Sequence, residues 1–371
     1  MAPNEVDSEY LSGDSLSHLN NKEKILYQDS WSDLIDFLRN SGKDPKRNIG
    51  YAESNIRPTA RRIHQVHKYA DTIELRPSQA DKFVDALNKD QFRTKQGEPY
   101  SEGSKRKFTE ALQAYFTYRG IEWEPEINFK NGDGTLSSDP FILEEREQLF
   151  EAALNYRSPP NYKNVSPIER DRWNAHLAQI LGKPKNEVGP EDWEQLRRSW
   201  KTACLISITL DCGWRAGMFS RLTTQMVHPD AGEIIIPPET ALKNDERWTC
   251  ELSDRSVRIL KKWLEQRNNK TKYDNSDLLF LNRKSNPHHS GTLNDLLENL
   301  ISVSDIDPSG RKLTWHSIRH STGMYVYNKE KDIELVAEVL RHTSLESASK
   351  YAHPTPETKQ DVIESIQGGG I

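Results

Sequence analysis

Between residues 121 and 139 the sequence reads IEWEPEINFKNGDGTLSSD, where apolar periodicity stops and Pro, Gly, Asn and Asp accumulate. Such a stretch offers no continuous face for packing, so it divides the chain. The full length of 371 residues leaves enough sequence on both sides for a core in each part. The expected division is an acidic, disordered tail over 1–25, a helical module over 26–122, a linker over 123–139 and a larger domain over 140–371.

Helical spacing defines the first module. Trp31, Leu34, Ile35 and Leu38 follow Ser30 as a candidate N-cap and predict a helix over 30–39. A second helix, over about 54–71, turns Ile63, Val66 and Ala70 inward and leaves Arg57, Arg61, Arg62, His64 and Lys68 as a basic outer surface. Ser78 opens a third, with Phe83, Val84 and Leu87 as its stripe. The fourth begins near Ser101 or Ser104, with Lys105, Arg106 and Lys107 at its entrance and Phe108, Leu112, Tyr115 and Phe116 on one face. A module of about 100 residues is large enough to fold by itself.

The larger domain also reads as mostly helical. TACLISITLDCG is apolar on most sides and leads to Trp214 and Arg215, whereas 157–192 is rich in Pro, Asn and charge and predicts a surface insertion. The one convincing β signal is GEIIIPPETALKNDERWTCEL. Ile234 to Ile236, a polar turn around Lys243 to Glu246, and Trp248 to Leu252 predict a hairpin. The fold class is therefore mainly α with a small β-hairpin or sheet, an α+β arrangement, with no internal repeat.

Composition excludes several classes. No apolar run approaches the roughly 20 residues that span a bilayer, and the acidic start lacks the pattern of a secretory leader. Cys204, Cys212 and Cys250 have no CxxC spacing and cannot make a full disulfide framework, so they are expected as core residues in a reducing compartment, without a zinc site. The net charge of −5 is a poor guide to partners. Glu5, Asp7, Glu9, Asp14, Glu23 and Asp29 face only Lys22 and Lys24 in and beside the tail, and local charge on a binding face is what matters.

The strongest local pattern is WHSIRHS, with His316, Arg319 and His320, followed one helix later by LRHTSLESASKYAHP. On a helix, His316 and Arg319 at i and i+3 point to one side and can address a single small anion. His342 and Tyr351 follow, nine residues apart. A lone His or Tyr usually packs; the ordered set is what singles these out.

With GWRAGMFSRL and LKNDERW added, the chain from about 140 to 371 resembles the tyrosine recombinase, or phage integrase, family. The family pattern places an arginine in a helix after a buried segment, a lysine in a β-hairpin, His-x-x-Arg, a His or Trp, and a late tyrosine. Arg215, Lys243, His316, Arg319, His342 and Tyr351 match it in order. Two positions depart from it: Met218 stands where an acidic residue is usual, and Arg341 where Gly usually precedes the late His. The resemblance implies a core-binding helical domain beside a catalytic domain. It also implies double-stranded DNA as partner, a homo-oligomer that is a tetramer on paired sites, a cytoplasmic, nucleoid-associated location and no metal or other cofactor.

The implied reaction suits these residue types. Arg215 and Arg319 are expected to donate to the non-bridging oxygens of a phosphodiester, Lys243 to protonate the 5′ leaving oxygen, and His316 to assist the proton of Tyr351, the nucleophile. The resulting 3′-phosphotyrosyl ester conserves the energy of the broken bond for rejoining. Arg57, Arg61, Arg62, Lys68, Lys105, Arg106 and Lys107 are the expected phosphate contacts of the first module. The alternatives are a topoisomerase IB-like relaxing enzyme and a DNA-binding protein that has lost cleavage. Near the end, Val362, Ile363 and Ile366 form an apolar stripe that either covers the protein's own domain or, as the resemblance implies, docks on a neighbouring protomer.

Overall fold

The computed structural model describes residues 20–130, 138–156, 161–195, 198–241, 246–342 and 344–367. The chain forms two compact units, Met1–Thr135 and Leu136–Ile371. It is mostly helical with one small antiparallel sheet, the expected fold class.

The first unit contains α1 (Asn21–Asn40), α2 (Glu53–Tyr69), α3 (Pro77–Asn88) and α4 (Glu102–Tyr118). Helix α1 starts well before the expected Ser30, and residues 21–25 belong to it rather than to a tail; the rest of that expected tail, 1–19, lies outside the described residues. The reason is Tyr27, one turn ahead of Trp31 and equally buried, which extends the same stripe toward the N-terminus. Pro at the first turn opens α3, and Ser101 caps α4 by accepting from the Ser104 amide at 3.3 Å. The core gathers Trp31, Leu38, Ile63, Phe83, Phe108 and Phe116. His64 departs from the expected outer surface: it is buried and its Nδ1 lies 2.9 Å from the Tyr27 hydroxyl. Part of the expected linker also packs here, since Phe129 is buried and Trp123 donates to Asp81 at 2.9 Å.

In the second unit α5 (Leu143–Asn155) and α9 (Asp254–Asn268) pack on α8 (Trp200–Cys212), which is buried along nearly its whole length. The expected surface insertion has its own structure: α6 (Pro167–Leu181) and α7 (Pro190–Gln195) enclose Trp173, Leu177, Val188 and Trp193. Strands β1 (Val227–His228), β2 (Glu233–Ile236) and β3 (Trp248–Glu251) form the sheet in that order, with Ile234 opposite Cys250 and Ile236 opposite Trp248. The short β1 was not expected. It pairs across a tight turn containing Gly232, whose φ of +71° favours glycine. Helices α10 (Ser290–Ile301), α11 (Trp315–Glu330), α12 (Ile333–Leu340), α13 (Leu345–Ser349) and α14 (Pro356–Gln367) complete the unit.

The cysteines differ from expectation. Cys212 and Cys250 form a disulfide, while Cys204 is free and buried. The β2–β3 register turns Cys250 inward, toward the last residue of α8. This tertiary alignment has no counterpart in the spacing of three cysteines.

Candidate active site

Four segments converge: the end of α8, the first turns of α11, the end of α12 and the residues just after α13. Gly213 ends α8 in the left-handed conformation, φ +58°, where a side chain is strained. A Cβ there would also lie 2.5 Å from Leu340. Arg215 follows as the N-cap of a 3-10 turn, Ala216–Ser220, rather than within a helix. Its guanidinium makes no hydrogen bond or ion pair with a described residue, and burial lowers its pKa against the pull of Tyr351.

Arg319 is fully buried on α11. Its two terminal nitrogens donate to the carbonyls of Gly213 at 2.7 Å and Leu340 at 2.5 Å, so it fastens the ends of α8 and α12 together. Its Nε has no partner among the described residues. Burial and the nearby Arg215 bring its pKa down to about 10, still fully charged at neutral pH. As arranged, Arg319 organises the site more than it presents a free fork.

Tyr351 is 0% exposed, packed between α11 and α12. Gly323 makes the space, because a Cβ at that position would lie 2.8 Å from the Tyr351 ring. The phenolic oxygen is 3.1 Å from Nδ1 of His320, and the ring stacks on His342 with centroids 5.7 Å apart and planes at 16°. Burial raises the phenol pKa, while Arg319 and Arg215 pull it down. Burial first, then the surrounding cations, hold both His320 and His342 near pKa 3, as neutral imidazoles.

His316 is half-buried and lies edge-on to His320, ring centroids 4.4 Å apart, and His320 is in contact with the Tyr351 hydroxyl. The signal was present in the sequence: His316 and His320 are spaced i, i+4 and share a helix face. Lys243 falls at 242–245, outside the described residues. Arg341, where a helix C-cap favours Gly, holds φ +53°; its guanidinium lies 5.2 Å from the Trp248 ring centre and donates to the Glu246 carbonyl at 2.9 Å. It therefore covers β3. Met218 is buried in the core.

The basic residues of the first unit divide. Arg57, Arg61 and Lys68 are exposed on α2, and Arg62 is half-buried. Lys105, at 6% exposure, is turned inward to Asp90 at 2.9 Å and Glu102 at 3.2 Å, which corrects its expected role as a phosphate contact. Arg106 and Lys107 both pair with Glu110 one turn on, at 3.4 Å and 2.9 Å. Among the described residues no cluster of His, Cys, Asp or Glu is arranged to hold a metal ion, and no helix is long and apolar enough to cross a membrane.

Residues 192–358 match the phage integrase family model, a span that includes all six residues singled out from the sequence. The segment 192–358 is thus a phage integrase family domain. The chain is similar to tyrosine recombinase XerD of Listeria innocua serovar 6a, 23% identical over 326 residues covering 85% of this chain and 93% of that protein. Tyrosine recombinase XerC of Treponema denticola is 30% identical over 89 residues, 24% of this chain and 28% of that protein. In fold the chain resembles the XerH site-specific recombinase bound to a palindromic difH substrate, with a TM-score of 0.54 and 18% identity over 98% of this chain and 93% of that one. A lambda integrase dimer bound to a core site gives 0.51 and 12% over 88% and 96%.

Proposed function

We propose that the protein is a site-specific DNA recombinase that cleaves and rejoins strands through a 3′-phosphotyrosyl intermediate. The observation that carries this reading is the placement of the Tyr351 hydroxyl against His320, under Arg319 and Arg215 and stacked on His342. In the proposed step, the Tyr351 oxygen attacks the scissile phosphorus, its proton passes to Nδ1 of His320, and the bond to the 5′ oxygen breaks. Lys243 donates the proton that the departing 5′ oxygen needs, so the hydroxyl produced can later reverse the attack. Arg215, which pairs with no described residue, and the Nε of Arg319 are the donors for the non-bridging oxygens, and preorganised donors of this kind are worth about 2.7–4 kcal/mol each. His316 buttresses His320, and His342 fixes the plane of the phenol. No metal or ATP enters the scheme.

Duplex DNA is the proposed partner of both units, with Arg57, Arg61, Arg62 and Lys68 supplying phosphate contacts, Arg106 and Lys107 contributing less because Glu110 shares their charge, and the assembly on paired sites a tetramer. The protein is proposed to work in the cytoplasm, on the nucleoid. Tyr325 is a poor rival nucleophile: its hydroxyl is already bound to Glu357 at 2.6 Å, and burial raises its pKa.

Denaturing-gel capture on nicked suicide duplexes tests the reading. Wild-type protein should form a covalent adduct in EDTA, and Tyr351→Phe should form none while binding DNA normally. An adduct that survives Tyr351→Phe, or that requires magnesium, overturns it.

A further inference from the structure

Away from the candidate active site, a cavity of about 830 Å³ opens between the first turn of α8, the turn after α9 and the approach to α10. Five cationic side chains line it, Lys201, Lys270, Lys272, Arg283 and Lys284, against one carboxylate, Asp295. None of the five forms an ion pair with a described residue. Two of the ammonium groups are held by neutral acceptors instead: Lys201 donates to the Leu281 carbonyl at 2.5 Å and Lys272 to that of Asn282 at 3.0 Å. Such hydrogen bonds aim the charges without cancelling them. His288, only 6% exposed, also lines the cavity, and its Nε2 is buried without a partner among the described residues.

We infer that this cavity is a binding site for a phosphate-bearing anion, separate from the Tyr351 centre. Burial and mutual repulsion bring Lys201 down to about pKa 7, and burial brings Lys270 to about 8 against the pull of Glu169, so gathering these groups with so little counter-charge destabilises the empty chain. A multiply charged oxyanion relieves that repulsion and gives the orphaned His288 nitrogen a partner. Clusters whose ionisation is perturbed by burial within a cleft are characteristic of binding sites. A single carboxylate ligand would balance only a fraction of the five charges; a phosphate, whether free or part of a DNA backbone, matches the donor set. None of the six candidate catalytic residues lines the cavity, so the inference does not rest on strand cleavage.

The test compares wild type with Lys201→Met and with the exposed pair Arg283→Gln/Lys284→Gln, using inorganic phosphate, pyrophosphate and a non-specific duplex as probes. Without anion, Lys201→Met should unfold at the same temperature as wild type or higher, because a repulsive charge has gone. If the ligand is a free anion, millimolar pyrophosphate should raise the wild-type Tm, more than phosphate does, and both variants should lose that gain. If it is a backbone phosphate, the free anions leave Tm unchanged, and the slope of log affinity against log salt should fall by about 0.9 for each phosphate no longer neutralised. Tyr351→Phe should behave as wild type in either arm, which separates this inference from the fate of the cleavage reading. Variants that match wild type in both arms, or a Lys201→Met protein that loses stability even though the exposed pair binds anion normally, overturn the proposal.

Discussion

The hydroxyl of Tyr351 and Nδ1 of His320 lie 3.1 Å apart although 31 residues separate them in the chain. Their meeting depends on Gly323, which leaves room for the ring, and on Arg319, which fastens α12 to the end of α8. Removing the proposed base should therefore be felt at the chemical step. His320→Ala is expected to slow adduct formation by about 10²–10⁴-fold, the usual range for a general base, with duplex affinity unchanged. His316→Ala should have the smaller effect, since its ring packs edge-on against His320. Single-turnover cleavage at saturating protein measures both, and a wild-type rate in His320→Ala would return the proton to another group.

Buried neutral histidines make stability depend on pH. In the second unit His288 and His320 titrate at about 3 when folded, chiefly because of burial, whereas an unfolded histidine titrates near 6.5. The folded pKa is depressed, so the unfolded chain binds protons that the native one does not. Stability is thus level above about pH 6.5 and falls as pH drops from there toward 3. Each fully buried imidazole contributes up to about 1.4 kcal/mol per pH unit in that window, so His288 and His320 alone give a loss of about 3 kcal/mol between pH 7.5 and 5.5, to which His342, also held near 3, adds. Urea denaturation at the two pH values checks it; equal midpoints would mean that both rings protonate freely in the native state.

Charges on the helical unit should separate by the direction their side chains take. Arg57, Arg61 and Lys68 are exposed, and neutralising them should reduce the salt slope of duplex binding by about 0.9 for each phosphate that is no longer neutralised. Lys105→Met should leave the slope alone and destabilise the unit, because it breaks the pairs with Asp90 and Glu102. Fluorescence anisotropy over a salt series distinguishes the two classes, and a slope reduced by Lys105→Met would contradict its inward placement.

Much of this arrangement is legible locally. Cap and stripe residues such as Ser101 and Phe83 define their helices without tertiary help, and the apolar stretch TACLISITLDCG announces a helix buried on most sides. What escapes is set by packing across the chain. Lys105 looks like part of a basic entrance until Asp90, fifteen residues earlier, folds against it. Trp173 and Trp193 are separated by Pro184 and Gly189, which hide the small core they share. The Cys212–Cys250 pair depends on strand register, and the role of His320 depends on where the segment after α13 returns.

Helix α14 is fixed at its start, because Glu357 accepts from the Tyr325 hydroxyl at 2.6 Å and the Leu143 amide at 3.1 Å. Its apolar stripe is not covered: Val362 is 52% exposed, Ile363 51% and Ile366 77%. Local packing, one of the two readings of this stripe, would have buried these side chains. Docking on a neighbouring protomer, the other reading, would account for the exposure, and each such side chain is worth about 1.5–3 kcal/mol when fully buried. A head-to-tail exchange of this helix closes a ring if the rotation closes. It would also act on the proposed nucleophile, since Tyr351 lies five residues before α14 and is shielded from solvent in the lone chain. Deleting 358–371, which spares Glu357, is expected to leave one protomer's binding to a single arm unchanged. Cooperative filling of a full site should weaken at least tenfold, and strand exchange should be abolished. Gel-shift titration on single-arm and full sites, with recombination assayed in parallel, measures each quantity. A truncated protein that fills the full site and recombines as wild type would show that α14 binds no neighbour.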